Sequence, residues 1–174
     1  MLRLMLLRHA KSDWSAAGTA DHERKLNARG RAAAPVMGRY LAQEKLLPSV
    51  VICSTAVRTR ETCDLVMAEI SKPPPIHYER RLYEASPETI IKIIAATPND
   101  VHTLLVIGHN PGLQLTALTL ATRTHAKQRE KLREKYPTAA LAVIDFDAKA
   151  WTGILPAGGA LERLVTPRDV SDAD

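Results

Sequence analysis

Apolar runs alternate along this chain with stretches in which alanine, leucine and isoleucine recur every three or four positions. Continuous apolar runs bounded by turn residues suit strands covered on both faces, and the longer spacing suits helices with one buried stripe. Arg3 to Leu7 therefore predicts a strand, and 26–47 (LNARGRAAAPVMGRYLAQEKLL) a helix in spite of Pro35. SVVICS, 49–54, predicts a second strand between Pro48 and Ser54, followed by a helix over 56–70. After three prolines comes a short strand or loop through Leu82 and Tyr83, and then SPETIIKIIAAT, a helix with Ser86 as N-cap and Pro87 at its first position. HTLLVIGHN, 102–110, reads as the third long strand, and PGLQLTALTLAT as a helix with proline again just inside its start. TAALAVIDFD, 138–147, and the segments around Trp151 and Leu161 to Val165 supply further strands, the last two joined by PAGG. No repeat or linker interrupts this rhythm. It predicts one α/β domain over 1–174, a three-layer α/β/α sandwich with a mostly parallel central sheet.

With 174 residues, 45% of them hydrophobic, the chain is long enough to bury a substantial core. Lys plus Arg number 24 against 19 for Asp plus Glu, a net charge of +5 that favours anionic partners such as phosphate, nucleic acid or acidic protein. The opening apolar run is too short for a membrane span and lacks the features of a signal peptide, so a cytoplasmic protein without a membrane partner is expected. Cys53 and Cys63, on a strand and the next helix, are expected to be reduced thiols.

Candidate chemistry emerges from where the strands stop. Ligands of such sheets bind in the crevice outside the carboxyl ends of the strands. Arg8 and His9 end the first strand, Ser54 and Thr55 end the second with Arg58 one turn beyond, and Gly108 and His109 end the third. An arginine and a histidine at one strand end are ordinarily just the place where the chain surfaces. Two arginines and two histidines delivered to one edge by three strands read instead as a phosphoryl pocket. Guanidiniums fork onto phosphate oxygens, and histidine serves as nucleophile or donor. Asn110 and Pro111 add a helix start that favours an anion. Glu84, in a loop before a helix, is the candidate proton donor, although a loop glutamate is commonly just solvated. Arg24 is a candidate rim contact, and His22, His77, His102 and His125 read as ordinary surface or strand-edge residues.

Other phosphate chemistries fit poorly. No GxxxxGK[ST] loop is present, and CSTAVR places four residues between Cys53 and Arg58 where a cysteine phosphatase has five, so Cys53 reads as core. No HExxH or paired-cysteine motif suggests a metal, and no cofactor is expected. The stretch 123–136 (RTHAKQREKLREKY) reads as a solvated helix with internal ion pairs that could also flank the pocket. With aromatic content of 4%, it makes a poor nucleic-acid surface, and no nucleic-acid partner is expected. Only 24 residues separate Glu84 from His109, enough for one helix and one strand, so few remain to cover the pocket.

On these residues the chain resembles the histidine phosphatase superfamily, with its phosphoglycerate-mutase-like fold, and within it the compact SixA type. LRHAKS is similar to the family's RHG motif, STAVRTRET to its SxxxRxxxT segment, LYEAS to the position of its acid and IGHNPG to its second histidine. DHERKLNARG is similar to the SixA-type RPLxxxG. Ala10 stands where the family has glycine, which implies a negative φ or an altered loop there, and Lys25 replaces a proline. The resemblance implies metal-independent hydrolysis in which His9 attacks phosphorus, Arg8, Arg58 and His109 neutralise its oxygens, and Glu84 protonates the leaving group. It implies a phosphohistidine-bearing protein as substrate. A small phosphate ester, or a catalytically weak phosphoprotein- or nucleic-acid-binding module, are the alternatives.

Overall fold

The structure, a computed structural model, describes residues 1–173. Six strands form one sheet in the order β3-β2-β4-β1-β5-β6. They are β1 (Leu2–Arg8), β2 (Val50–Ser54), β3 (Ile76–Glu79), β4 (Thr103–Gly108), β5 (Leu141–Phe146) and β6 (Gly159–Val165). Strands β1 to β4 are mutually parallel, and β5 runs antiparallel to both of its neighbours, β1 and β6. The helices among the described residues are α1 (Ala28–Gln43), α2 (Val57–Met67), α3 (Pro87–Ala95), α4 (Gly112–Leu120), α5 (Ala126–Glu134), α6 (Ile154–Ala157) and α7 (Pro167–Ser171).

Why the middles of the central strands are continuously apolar follows from the two cores they separate. Leu2, Leu4 and Leu6 of β1 and Leu104 and Val106 of β4 join Ile90, Ile94, Leu113 and Leu120 of α3 and α4. Met5, Leu7, Leu105 and Ile107 point the other way, among Met37, Leu41, Cys63 and Val66 of α1 and α2. Successive side chains of a strand face opposite sides, so a strand buried on both must be apolar at every position. The result is the predicted α/β/α sandwich of the phosphoglycerate-mutase-like fold.

The structure corrects one element. Trp151 lies not in a strand but in a 3-10 turn, Trp151–Gly153, that runs into α6. Its indole is fully buried and donates from Nε1 to the Val101 carbonyl at 2.7 Å, so a tertiary contact overrides the strand preference of an aromatic, apolar segment. Both long helices are shorter than predicted, 28–43 and 57–67, and the first is capped by the Asn27 side chain, which accepts from the Gly30 amide. Cys53 and Cys63 are free and buried, and the hydrogen bond with the Cys63 sulfur, then burial, raises the Cys53 pKa. No helix among the described residues is long and apolar enough to cross a membrane.

Candidate active site

At the carboxyl end of the parallel strands, the backbone of Arg8 and His9 is held from both sides. His9 N–H donates to the Gly108 carbonyl at 3.0 Å and Arg8 N–H to the Ala140 carbonyl at 3.0 Å. The Ala139 amide, on a backbone with φ of 60°, donates to the carbonyls of both Arg8 and His9. Ala10 is buried, avoids positive φ, and donates its N–H to Thr62 Oγ1 at 3.0 Å, so alanine fits where the resemblance has glycine. Gly30 then brings α1 against the next peptide: a Cβ there would stand 2.1 Å from the Lys11 carbonyl oxygen.

The two histidine rings meet with centroids 5.4 Å apart. His9 Nδ1 lies 2.7 Å from the Ala10 carbonyl, which can only accept, so the ring hydrogen is on Nδ1 and the lone pair is on Nε2. Burial, with Arg58, Arg8 and Arg24 nearby, lowers the His9 pKa to about 4, and the ring is neutral at pH 7. Burial and the neighbouring His9 lower His109 to about 3. His109 Nε2 is 2.7 Å from Ser54 Oγ. The Ala56 amide donates to that same hydroxyl oxygen, freeing the hydroxyl proton to go to Nε2 and leave the ring hydrogen on Nδ1.

Arg58, only 6% exposed, is oriented by a residue that the strand-end reasoning missed. Asp21 accepts from Arg58 Nη1 through its carbonyl (2.7 Å) and from Arg58 Nη2 through Oδ2 (3.1 Å). Tyr83 OH also donates to Oδ2 at 2.5 Å, and Arg24 Nη2 donates to Oδ1 at 3.0 Å. The Tyr83 hydrogen bond first, then Arg24 and Arg58, hold the Asp21 carboxyl well below the usual carboxylate range. Arg24 is therefore not at the rim. It is buried, donates to Ser12 Oγ as well as Asp21, and lies 3.6 Å beneath the exposed Trp14 ring. His22 is not an ordinary surface residue either: its Nε2 is 2.9 Å from Thr55 Oγ1, and its ring meets the Tyr83 ring edge-on at 4.9 Å. Residues 20–24 thus form a strap across the start of α2. The only trace of it in sequence is an aspartate three positions before an arginine, a spacing that ion-pairs along a helical turn.

A cavity of about 470 Å³ opens beside the histidines, lined by Asp21, Arg58, Tyr83, Glu84, His109 and Leu115 among others. As expected, only α3 and β4 separate the Glu84 loop from His109. Glu84 has φ of 54°, in the left-handed region that non-glycine residues rarely occupy. Asn110 also lines the cavity, but its amide is engaged by the protein: Nδ2 donates to Gln114 Oε1 and the Tyr136 carbonyl, and Oδ1 caps α4 by accepting from the Gln114 amide. The same Tyr136 carbonyl accepts from Arg8 Nη1 at 2.9 Å.

Arg8 Nε, Arg24 Nε, Arg58 Nε and His109 Nδ1 are buried and have no protein partner, and Thr97 Oγ1 is the one other such atom among the described side chains. Buried polar groups are ordinarily paired, so the unpaired nitrogens of Arg58 and His109, which line the cavity, mark a place that suits an external acceptor. Three guanidiniums and one carboxylate leave two positive charges, the complement of a phosphoryl dianion. Among the described residues, no three His, Cys, Asp or Glu side chains are grouped to hold a metal ion.

Comparison with known proteins agrees with this geometry. The model of the histidine phosphatase superfamily (branch 1) matches residues 4–90, the half of the chain that carries Arg8, His9, Asp21, Arg58 and Glu84. An uncharacterised protein of Mycobacterium tuberculosis (strain H37Rv) is 38% identical over 93% of this chain and all of its own length. A chain from Nakamurella multipartitia, provisionally named phosphohistidine phosphatase SixA, superposes with a TM-score of 0.85 at 30% identity, covering 95% of this chain and 96% of that one. Its namesake from Agrobacterium tumefaciens gives 0.81 at 29%, covering 95% and 98%. The chain belongs to the histidine phosphatase superfamily and is of the SixA type.

Proposed function

We propose that this phosphatase hydrolyses phosphohistidine on a protein, by way of a phosphorylated His9 and without a metal ion. The observation that carries the reading is the His9 ring itself. It is neutral, its Nδ1 hydrogen is tied to the Ala10 carbonyl, and its Nε2 lone pair stands among cationic donors. In the first step Nε2 forms a bond to phosphorus while the bond to the leaving group breaks. Arg8 and Arg58 neutralise the phosphoryl oxygens, neutral His109 donates a hydrogen bond to one of them, and Glu84 gives a proton to leaving groups that need one. In the second step water attacks the phosphorus of phospho-His9, the electron pair of the P–N bond returns to Nε2, and one proton of the water passes to solvent.

The SixA names of the two solved neighbours support a phosphohistidine substrate, and so does the short connection between Glu84 and His109, which leaves room for a protein-borne group. Activity on small phosphate esters is the rival reading. Quenched turnover of labelled substrate should trap phosphate on His9 in an acid-labile, alkali-stable linkage, and His9→Ala should abolish turnover. Unchanged activity in His9→Ala would overturn the mechanism. A sugar phosphate turned over with far higher kcat/KM than every phosphohistidine protein tried would decide for the ester reading.

A further inference from the structure

We infer that Asp21 is a specificity-determining residue, whose carboxylate accepts the N–H of a departing imidazole and so selects phosphohistidine over phosphate esters. The inference rests on the phosphatase reading above and adds the selection of the leaving group. Asp21 lines the cavity next to Arg58 and His109, with its side chain 45% exposed there. Its Oδ2 takes two donors, Arg58 Nη2 and Tyr83 OH, but Oδ1 takes only Arg24 Nη2. A carboxylate oxygen can accept two hydrogen bonds, so Oδ1 keeps one free on a partly exposed group. The same carboxylate holds Arg58 through Oδ2 at 3.1 Å, so Asp21 stands beside any phosphoryl group that Arg58 binds.

The chemistry of the leaving group follows from that fixed charge. A phosphohistidine whose second ring nitrogen carries hydrogen is cationic on the ring. When His9 Nε2 bonds to phosphorus, the substrate P–N bond breaks with its electron pair on the departing nitrogen. The imidazole then leaves neutral, with its N–H still in place on the other nitrogen. A permanently ionised acceptor favours that cationic ring on entry and orients it for in-line departure. An alkoxide or phenolate leaving group has no such N–H and gathers negative charge near the same carboxylate. Asp21, held ionised by Tyr83, Arg24 and Arg58, cannot be the proton donor, which separates it from Glu84 on the same cavity.

The test compares 3-phosphohistidine with p-nitrophenyl phosphate in wild type and Asp21→Asn. Loss of a charge-assisted hydrogen bond should lower the ratio of the two kcat/KM values by about 10- to 100-fold. Equal losses on both substrates would overturn the inference and make Asp21 a support for Arg58 and Arg24, and an unchanged ratio without loss would overturn it as well. Should Asp21→Asn fail to fold, wild type can be assayed with 3-phosphohistidine methylated on Nδ1, which keeps the charge and lacks the N–H. Rate acceleration over spontaneous hydrolysis should fall at least tenfold, and equal acceleration would overturn the inference. Failure of the underlying reading looks different, because wild type would then turn over neither substrate or His9→Ala would retain both activities.

Discussion

The cavity beside His9 and His109 has two walls of opposite construction. The wall made by the strap and α2 is a lattice of ion pairs and hydrogen bonds in which Asp21, Arg24, Arg58 and Tyr83 hold one another. The facing wall, made by the Glu84 loop and the start of α4, presents Ala85, Pro87, Pro111 and the half-exposed Leu115, with Glu84 among them. No hydrogen bond or ion pair reaches the Glu84 carboxylate among the described residues. A wall of fixed charge presents the same face to every phosphoryl group, because its side chains have no freedom to adapt. An apolar wall with one untied carboxyl group deals with whatever carries the phosphoryl group. On the proposed reading, the first wall holds the phosphoryl group that all substrates share, with the Asp21 carboxylate at its edge for a departing imidazole, and the second answers a leaving group's need for a proton.

The largest expected effect lies on the second wall. Alkyl alkoxides depart poorly without a proton, whereas p-nitrophenolate and a protonated phosphoimidazole do not need one. Glu84→Gln should therefore slow hydrolysis of serine or sugar phosphates by about 10²- to 10⁴-fold, with a much smaller loss on phosphohistidine or p-nitrophenyl phosphate. Equal losses for all leaving groups would assign Glu84 to the fixed wall instead.

Between the walls, the histidine pair should write itself into the pH dependence of stability. In the folded state His9 titrates at about 4 and His109 at about 3, against roughly 6.5 for an unfolded histidine. The unfolded chain therefore binds more protons from pH 6.5 down to 4, and the folded state loses stability as pH falls through that window. At pH 5 the loss is on the order of 2 kcal/mol per histidine. Urea unfolding at pH 7 and pH 5 measures it, and a His9→Ala, His109→Ala double variant should show a shallower slope. An identical slope in the double variant would mean that other groups carry the effect.

A smaller effect separates the His9 loop from the Glu84 wall, each of which is packed against a glycine. At Gly112 a Cβ would stand 2.4 Å from the Ala85 carbonyl, much as Gly30 abuts Lys11. Gly30→Ala and Gly112→Ala should each cost about 1–3 kcal/mol by overpacking, read as a shift in the urea midpoint. Their kinetic signatures should differ. Gly30→Ala disturbs the His9 loop and slows all substrates alike, whereas Gly112→Ala disturbs the Glu84 loop and slows alkyl phosphates most.

Strand ends were legible in the sequence because burial on both faces leaves no freedom. The middle of each strand, 4–7 in β1 and 104–107 in β4, must be apolar, so Arg8, His9 and His109 stand out as residues released from that constraint at the carboxyl ends. Ser86 and Pro87 were legible for an equally local reason, since a cap is specified by neighbours within one turn. Trp151 misled because a short aromatic and β-branched run satisfies strand and helical turn alike until its indole finds the Val101 carbonyl. Asp21 was not legible as part of the site because its partners Arg58 and Tyr83 are far away in sequence, and nothing local says that the strap folds over α2. Arg24 and Asn110 lie close to the predicted place, but which of their atoms are engaged depends on Ser12, Asp21, Gln114 and Tyr136, which only the folded chain brings to them.

The position of β1 in the sheet also has a consequence for the order in which the molecule comes together. This strand carries Arg8 and His9, yet its two neighbours are β4, where Arg3 pairs with Thr103, and β5, where Leu2 pairs with Phe146. Such pairings close long loops, and β1 cannot take its place until residues made much later on the ribosome arrive. His9 is thus seated by strands far from it in sequence, so a chain that already carries His9 still lacks a site until β4 and β5 have joined β1.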